Sequence, residues 1–522
     1  MQVPAASKIE QLFLNKKTLD INSKVFKVFA CIKSTLYPRA VKFLLCLIFF
    51  TLSLETCLAS NKPNIVLIMC DDLGWGDVGF NEWPVPDGHG GIQIESNKII
   101  RTPYLNAMAK EGLKFNRFYS ASPVCSPTRG SCITGRHPYR YGILYANTGH
   151  MKTEELTLAE LLKTKGYATG HFGKWHLGTL TEKNKDANRG GPKAKKHYSP
   201  PQLNGFDICF STESKVPTWD PLIRPKGNSS RTWWDPVQER KNEEAYGTAY
   251  WNEKSEKVTQ NTKGANSRII MDRAISFIQN ATEKNQPFFS IIWFHTPHLP
   301  VVAGPKYTKI YKNYSKYEQH YFGCITAMDE QIGRLRSKLR DLNVAENTVL
   351  FFTSDNGPEG QKGKAPGSTG YLNGRKRSLL EGGIRVPGLV EWPAKIKPGR
   401  KTDIPCVTSD YLPTILDMLE IKPITNRPID GISLLPLLKN KMTNRGKAIG
   451  FESKGQTAWI GDRYKLYSSV KARSEPQLFD LKTDPSEKKN LAKSKPILVK
   501  RLAKELAAWR SSCKLSAMGK DY

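Results

Sequence analysis

Three apolar runs in this chain are too uniformly hydrophobic for a surface, and each stops abruptly at charged or polar residues. They are "NIVLIMCDDLGWGD" from residue 64, "PFFSIIWFHTPH" from residue 287 and "NTVLFFTSDNG" from residue 347. Such runs, rich in β-branched and aromatic residues and bounded by turn signals, read as strands buried on both faces. A shorter piece, "GYATGHFGKWHLG" from residue 166, has the same design. Amphipathic helical patterns lie between and after them: "TLAELLKTKG", "SRIIMDRAISFIQNATEK", "YFGCITAMDEQIGRLRSKLRDL" and "SDYLPTILDMLEI". Strand and helix patterns in alternation predict an α/β fold with a parallel sheet covered on both sides. Ligands of such sheets bind at the carboxyl ends of the strands. Asp71, Asp72, Lys174, His176, His295, His298, Asp355 and Asn356 all fall there.

Near residue 440 the texture changes. "AIGFES", "TAWIGDRYKLYSS" and "PQLFDLKTD" predict a small antiparallel sheet, and "PILVKRLAKELAAWRSSC" a closing amphipathic helix. The expected organisation is a leader over 1–60, a main domain over 61–440 and a C-terminal subdomain over 441–522. Within the leader, Val41-Lys42 precedes the apolar run Phe43 to Leu54 and then "ETCLAS". That is the pattern of a secretory signal peptide over 41–59, and it predicts a secreted or periplasmic protein. The run is too short for a stable membrane span, although a short anchor is the alternative. Residues 1–40 precede it, and Val41 is a candidate for the true start.

The net charge of +31 favours a polyanionic partner, although a basic excess is equally the mark of a solvated surface. The basic residues are spread rather than gathered into one arm, which argues against nucleic acid. Ten cysteines without CxxC pairs exclude a disulfide scaffold or a zinc cluster. Three of them precede residue 60, leaving an odd seven.

"SPVCSPTRG", residues 122–130, places Cys125 before an expected helix start. Ser126 is an N-cap type and Pro127 suits the first helical position. Arg129, four residues on, would share the Cys125 face, where an anion would bind. The alternatives are a small buried thiol or a pair with Cys132. Asp71, Asp72, Asp355 and Asn356 offer only hard oxygen ligands, suited to Ca²⁺ or Mg²⁺; capping and turn roles are the alternatives. Lys174 and His176 would point the same way from an extended segment. With His298 and Lys376 they describe a site for transferring a tetrahedral oxyanion, phosphate or sulfate. Between residues 180 and 260, Trp219, Trp233, Trp234 and Trp251 lie among lysines, suited to stacking on sugars or to packing on the body.

"CSPTRGSCITGR", Cys125 to Arg136, closely resembles the first signature of the type I, formylglycine-dependent sulfatases, with its C-x-P-x-R core. "GYATGHFGKWHLG" resembles their second. "NIVLIMCDDLGWGD", "HTPHLP", "TSDNGPEG", "LLEGGIRVPGLVEWP" and "LFDLKTDPSEKKNLA" match in order and spacing, so the resemblance runs over roughly residues 62–510. The pattern is similar to the arylsulfatase and N-acetylgalactosamine-6-sulfatase group. The resemblance implies an alkaline-phosphatase-like sandwich: a large mixed, mostly parallel sheet with flanking helices and a small C-terminal antiparallel sheet. It implies hydrolysis of sulfate esters, on a sulfated carbohydrate, after a maturation enzyme converts Cys125 to formylglycine. Arg129 would support the modified side chain. Asp71, Asp72, Asp355 and Asn356 would hold calcium, with residue 125 near or in its coordination shell. Lys174 would contact formylglycine and sulfate, and His176 the formylglycine hydroxyl. His298, rather than His295, and Lys376, with Arg375 and Arg377 as rivals, would bind sulfate and assist the leaving oxygen. Two other readings stand beside this one: a phosphodiesterase or phosphonate hydrolase of the same architecture, and a non-catalytic polyanion-binding protein.

Overall fold

Strand β1 (Asn64–Asp71) is buried along its whole length. Its side chains alternate between two cores, as the pleat requires. Ile65, Leu67 and Met69 pack with Ile291, Trp293, Val349 and Phe351. Val66, Ile68 and Cys70 pack on the other side with Ile292, Phe294, Leu350 and Phe352. A computed structural model describes residues 62–88, 91–227, 234–235, 243–422, 427–470 and 475–521. The expected leader, its signal peptide over 41–59 and Trp233 lie outside the described residues. No helix among those described is long and apolar enough to cross a membrane.

The main sheet takes its strands in chain order from β1, β2 (Leu113–Phe115), β3 (Ala168–Lys174), β4 (Ile208–Thr212), β5 (Tyr250–Trp251), β6 (Lys257–Val258), β7 (Phe288–Pro297), β8 (Thr348–Ser354), β9 (Gly388–Glu391) and β10 (Arg400–Thr402). Their spatial order is β6-β5-β4-β3-β7-β1-β8-β9-β2-β10. The five central strands, β4 to β8 across the sheet, are parallel. The flanks turn antiparallel at β5 and β9, so the sheet is mixed and mostly parallel.

Five helices matter for the site: α1 (Cys125–Thr134), α2 (Asn266–Glu283), α3 (Lys316–Asp341), α4 (Tyr411–Met418) and α5 (Pro496–Ala517). Residues of α1 and α4 join the core on the Ile65 side, and α2 and α3 cover the Val66 side. Burying each large apolar side chain in these layers contributes roughly 1.5–3 kcal/mol.

The C-terminal sheet is β11 (Ile449–Ser453), β12 (Gln456–Ile460), β13 (Tyr464–Ser469) and β14 (Gln477–Asp480), antiparallel and in sequence order. One face packs Phe451, Ala458 and Phe479 against Tyr119, Leu379 and Val407 of the body. The other lays Leu466 and Leu478 under Leu502 and Leu506 of α5. All described residues belong to one compact unit, Lys62–Tyr522.

A buried ion cluster ties this sheet to the body. Lys465 Nζ lies 3.0 Å from Glu381 Oε1 and 2.7 Å from Glu487 Oε1, with all three side chains excluded from solvent. Burial pushes Glu487 up to about 7 despite the lysine. Replacing Lys465 with methionine leaves Glu487 buried beside Glu381 with no cation between them, Arg385 reaching Glu381 alone (3.7 Å). The expected cost is about 3 kcal/mol of unfolding free energy, read by denaturant melts. A loss within the range of an exposed pair, below about 1 kcal/mol, would show the cluster to be idle.

Candidate functional site

The parallel strands deliver their polar ends to one place. β1 ends in Asp71 and is followed by Asp72; β8 is followed by Asp355 and Asn356; β3 ends in Lys174; His298 follows β7. Around these, Asp72 N donates to Asp355 Oδ1 (3.1 Å) and Asn356 Nδ2 donates to Asp72 Oδ1 (2.7 Å). Arg129 Nη2 bonds Asp355 Oδ2 (2.6 Å) and lies 3.7 Å from Asp71 Oδ2, while its Nη1 donates to the Lys174 carbonyl (3.0 Å). Lys174 Nζ bonds Asp71 (2.6 Å), and Lys376 Nζ bonds Asp72 (2.6 Å). His298 Nε2 stands 3.7 Å from Asp72.

Helix α1 supplies Cys125 and Arg129. It starts two residues earlier than expected. Cys125 is itself the first helical residue, with extended Val124 (φ −146°) as the cap. Ser126 Oγ is buried and caps nothing. Instead Thr128 Oγ1 donates back to the carbonyls of Ser122 and Val124 (3.0 and 3.2 Å), which holds the entering chain. Gly135, in the left-handed region at φ 67°, ends the helix. A side chain at Gly130 would meet the Tyr141 hydroxyl at 2.6 Å, so the close approach of the aromatic ring requires glycine there. No disulfide forms: Cys125, Cys132 and the five other described cysteines are free.

The oxygen cluster fits a hard divalent cation. Asp71 Oδ1 and Asn356 Oδ1 are buried acceptors without a hydrogen-bond partner. A ligand atom from each of Asp71, Asp355 and Cys125 lies within 4.8 Å of the other two, and the same holds for Asp71, Asp72 and His298. Four oxygen-bearing side chains, two with an orphaned lone-pair acceptor, match the donor preference of Ca²⁺ or Mg²⁺. Burial and the adjacent Asp71 push Asp355 up to about 7. Burial would also raise Asp71, but Lys174, His298 and Arg129 hold it well below the carboxylate range.

Burial raises the Cys125 thiol above its ordinary value against the pull of Lys174 and Lys376. Burial, with Lys174 and Arg129 close by, holds His176 well below 6.5. His176 Nε2 donates to Asn147 Oδ1 (2.9 Å), leaving Nδ1 as a buried acceptor without a partner. Burial brings His298 down to about 4, against the pull of Asp71 and Asp72. His295, by contrast, is locked through both ring nitrogens to Thr212 (2.8 Å) and Asn266 (3.1 Å).

Cys125, Lys174, His176, His298 and Lys376 line one cavity of about 670 Å³. A larger cavity, about 750 Å³ beside α4, contains none of them. Lys174 and His176 do not reach the site by strand alternation as expected. β3 ends at Lys174, and His176 lies beyond it in the left-handed region at φ 59°. Of three adjacent cations Lys376 is the one that reaches Asp72 (2.6 Å). Arg375 donates to the carbonyls of Gly367 and Glu359, and Arg377 pairs with Glu359 on the rim. Two tryptophans of the lysine-rich stretch serve the body: Trp219 packs against Tyr307, and buried Trp251 donates to Asp186 (3.0 Å).

Sequence reasoning missed Lys215, which follows β4 into the cavity, and Asn147, which holds His176. It also missed a cluster of left-handed, non-glycine residues around the cavity: Asp72, Asn147, His176 and Arg377, with φ of 67°, 61°, 59° and 76°. Such conformations concentrate where surrounding structure enforces them at functional sites. Asp72, Asn147 and His176 are of residue types enriched in this region, and Arg377 is not.

The sulfatase family model matches residues 63–421, and a model for the C-terminal region of N-sulphoglucosamine sulphohydrolase matches residues 367–512. The chain is 32% identical to N-acetylgalactosamine-6-sulfatase of Mus musculus, over 77% of this chain and 71% of the relative. It is 30% identical to arylsulfatase A of Homo sapiens, over 83% and 84%. The solved structure of Ps i-CgsB in complex with k-i-k-neocarrahexaose superposes with a TM-score of 0.70 at 28% identity, covering 86% of this chain and 93% of that one. The layered sheet with its small C-terminal antiparallel companion is the alkaline-phosphatase-like sandwich that the resemblance implied. With the two signatures meeting at one cavity and the family model spanning most of the polypeptide, the chain belongs to the sulfatases, the sulfuric ester hydrolases.

Proposed function

We propose that the chain hydrolyses sulfate esters of a sulfated carbohydrate, using Cys125 after its conversion to formylglycine and a calcium ion held by Asp71, Asp72, Asp355 and Asn356. The carrying observation is that Cys125 faces Lys174, His176, His298 and Lys376 across one cavity, with the oxygen cluster directly behind it. A buried thiol with a raised pKa is a poor nucleophile. Oxidised to formylglycine, the residue supplies a hydrated aldehyde, whose one hydroxyl attacks sulfur and whose second allows sulfate to leave. Calcium supplies fixed positive charge beside the sulfate oxygens. The rest of the work falls to the side chains. Lys174 and Lys376 hold the sulfate oxygens as point charges. His176, neutral and with Nδ1 open, takes the proton from the nucleophilic residue. His298, beside Asp72, faces the leaving oxygen. Arg129 locks Asp355 and the Lys174 carbonyl, so the cluster keeps its shape when ligands enter. The carbohydrate reading is supported by the names of the relatives, among them N-acetylgalactosamine-6-sulfatase. Export through the segment 41–59 belongs to the same reading, because sulfated polysaccharides are extracellular polymers.

The first test is mass spectrometry of the tryptic peptide spanning residues 118–129. The aldehyde form of Cys125 is expected in protein from its native host, and a wholly unmodified thiol in active protein would end the proposal. The second compares matched sulfate and phosphate esters, where a clear preference for phosphate would favour the phosphonate-hydrolase reading.

The pH dependence has a definite sign. A base whose pKa is lowered stays unprotonated as pH falls through 6.5, so the acid limb of kcat/KM is expected below that value. His176→Gln should reduce kcat by roughly 10²–10⁴-fold and remove that limb. A wild-type acid limb centred at or above 6.5 would contradict the assignment.

A further inference from the structure

The charge inside the cavity does not balance. Lys174, Lys215, Lys364, Lys376 and Arg377 line it, against a single carboxylate, Glu359. Three of these cations are matched: Lys174 by Asp71 (2.6 Å), Lys376 by Asp72 (2.6 Å) and Arg377 by Glu359 (2.6 Å). Neither Lys215 nor Lys364 takes part in an ion pair among the described residues. Lys215 is well placed for a role of its own. It leaves the carboxyl end of β4 as Lys174 leaves β3, and the turn is set by Thr212 Oγ1 donating to the Ser214 carbonyl (2.8 Å). The residue is exposed by area, yet the cavity walls remove enough water that burial, with Lys174 and Lys376, lowers its pKa. Two unmatched ammonium groups beside three matched cations repel unless an anion sits between them. The primary sulfate is already served by Lys174 and Lys376, so these two ask for another negative group.

We infer that Lys215 and Lys364 form a second anion subsite at the mouth of the cavity. The natural substrate therefore carries a further sulfate or carboxylate on the sugar that bears the scissile ester or on its neighbour. The inference rests on the proposed sulfate ester hydrolysis and names the class of substrate for that site.

The test uses matured enzyme with calcium and three substrates: a monosulfated disaccharide, its disulfated form, and a monosulfated disaccharide bearing a uronic acid. Wild type should prefer one or both dianions over the monoanion by about tenfold in kcat/KM, chiefly through KM, which is the scale of hydrogen bonds to charged groups. Which dianion is preferred tells sulfate from carboxylate. The double variant Lys215→Gln/Lys364→Gln should lose that preference, and added salt should reduce it in wild type. Lys195→Gln/Lys196→Gln, two surface lysines away from the machinery, is the control for general attraction. Equal losses on monoanion and dianion, no loss on either, or the same loss in the control would each overturn the subsite while leaving sulfatase activity intact. Absence of turnover of any sulfate ester by protein with confirmed aldehyde would overturn the hydrolytic reading, and the subsite with it.

Discussion

The Cys125→Ala protein is expected to be inactive toward every sulfate ester, with a fall in kcat of about 10⁴-fold or more, as for removal of an essential nucleophile. The effect should be this large because nothing else at the site can replace the lost group. Lys174 and Lys376 are cations bonded to carboxylates, and His176 is a buried neutral imidazole with its Nε2 committed to Asn147. Fold and substrate binding should survive, since alanine fills less space at the first turn of a helix whose other contacts are untouched. A sulfated inhibitor should therefore still raise the melting temperature of the variant. Cys125→Ser separates chemistry from geometry more sharply. A serine hydroxyl has no second hydroxyl from which sulfate can be expelled, so multiple turnovers are not expected. Retention of more than about one per cent of wild-type kcat by the alanine variant would remove residue 125 from the mechanism.

Arg129→Ala should cost stability as well as activity. Its guanidinium is wholly buried, stacks 5.2 Å from the centre of the Trp293 ring and pairs with Asp355 while facing Asp71. Removing it strands Asp355 in a dry interior, while Asp71 keeps Lys174. The expected loss is about 5 kcal/mol of unfolding free energy, at the upper end for breaking a buried pair. Part of that loss should return in excess calcium, because the ion offers positive charge to the same carboxylates. Calorimetric melts with and without calcium test both statements. A destabilisation that calcium leaves untouched would show that Arg129 and the cation site act independently.

Much of this candidate site was legible because Asp71, Asp72, Lys174, His298, Asp355 and Asn356 sit where apolar runs stop. The change from Ile65–Met69 to Asp71-Asp72, and from Phe351-Phe352 to Asp355-Asn356, marks a strand ending at a buried polar edge. The C-terminal sheet was equally plain, since its short strands are separated by turn residues and burial alternates along the first of them, β11. What escaped notice has physical reasons. The helix start at Cys125 rather than Pro127 goes with Thr128 reaching back to two carbonyls, a choice that overrides capping preference. The antiparallel partner β9 is only four residues long and reads as an extension of a turn-rich motif. Lys215 follows an ordinary polar stretch, "STESK", whose position in the cavity is set by sheet order alone. The left-handed backbone of Arg377 leaves no trace in residue type, because the surrounding packing imposes it, and the aspartate and histidine types of Asp72 and His176 carry only a weak one.

The first strand among the described residues lies in the middle of the sheet. Asn64 donates to Thr348, 284 residues downstream, and accepts from the Phe288 amide, 224 residues downstream. Both edges of β1 thus stay open until most of the chain has been made. Pairings so remote in sequence close slowly, because a long loop must lose its freedom before any contact forms. An apolar ribbon with two unsatisfied edges is meanwhile a template for other copies of itself. Refolding from denaturant should accordingly be slow and fall in yield as protein concentration rises, and cells producing the enzyme should gain more soluble product from cooler, slower synthesis than from stronger expression.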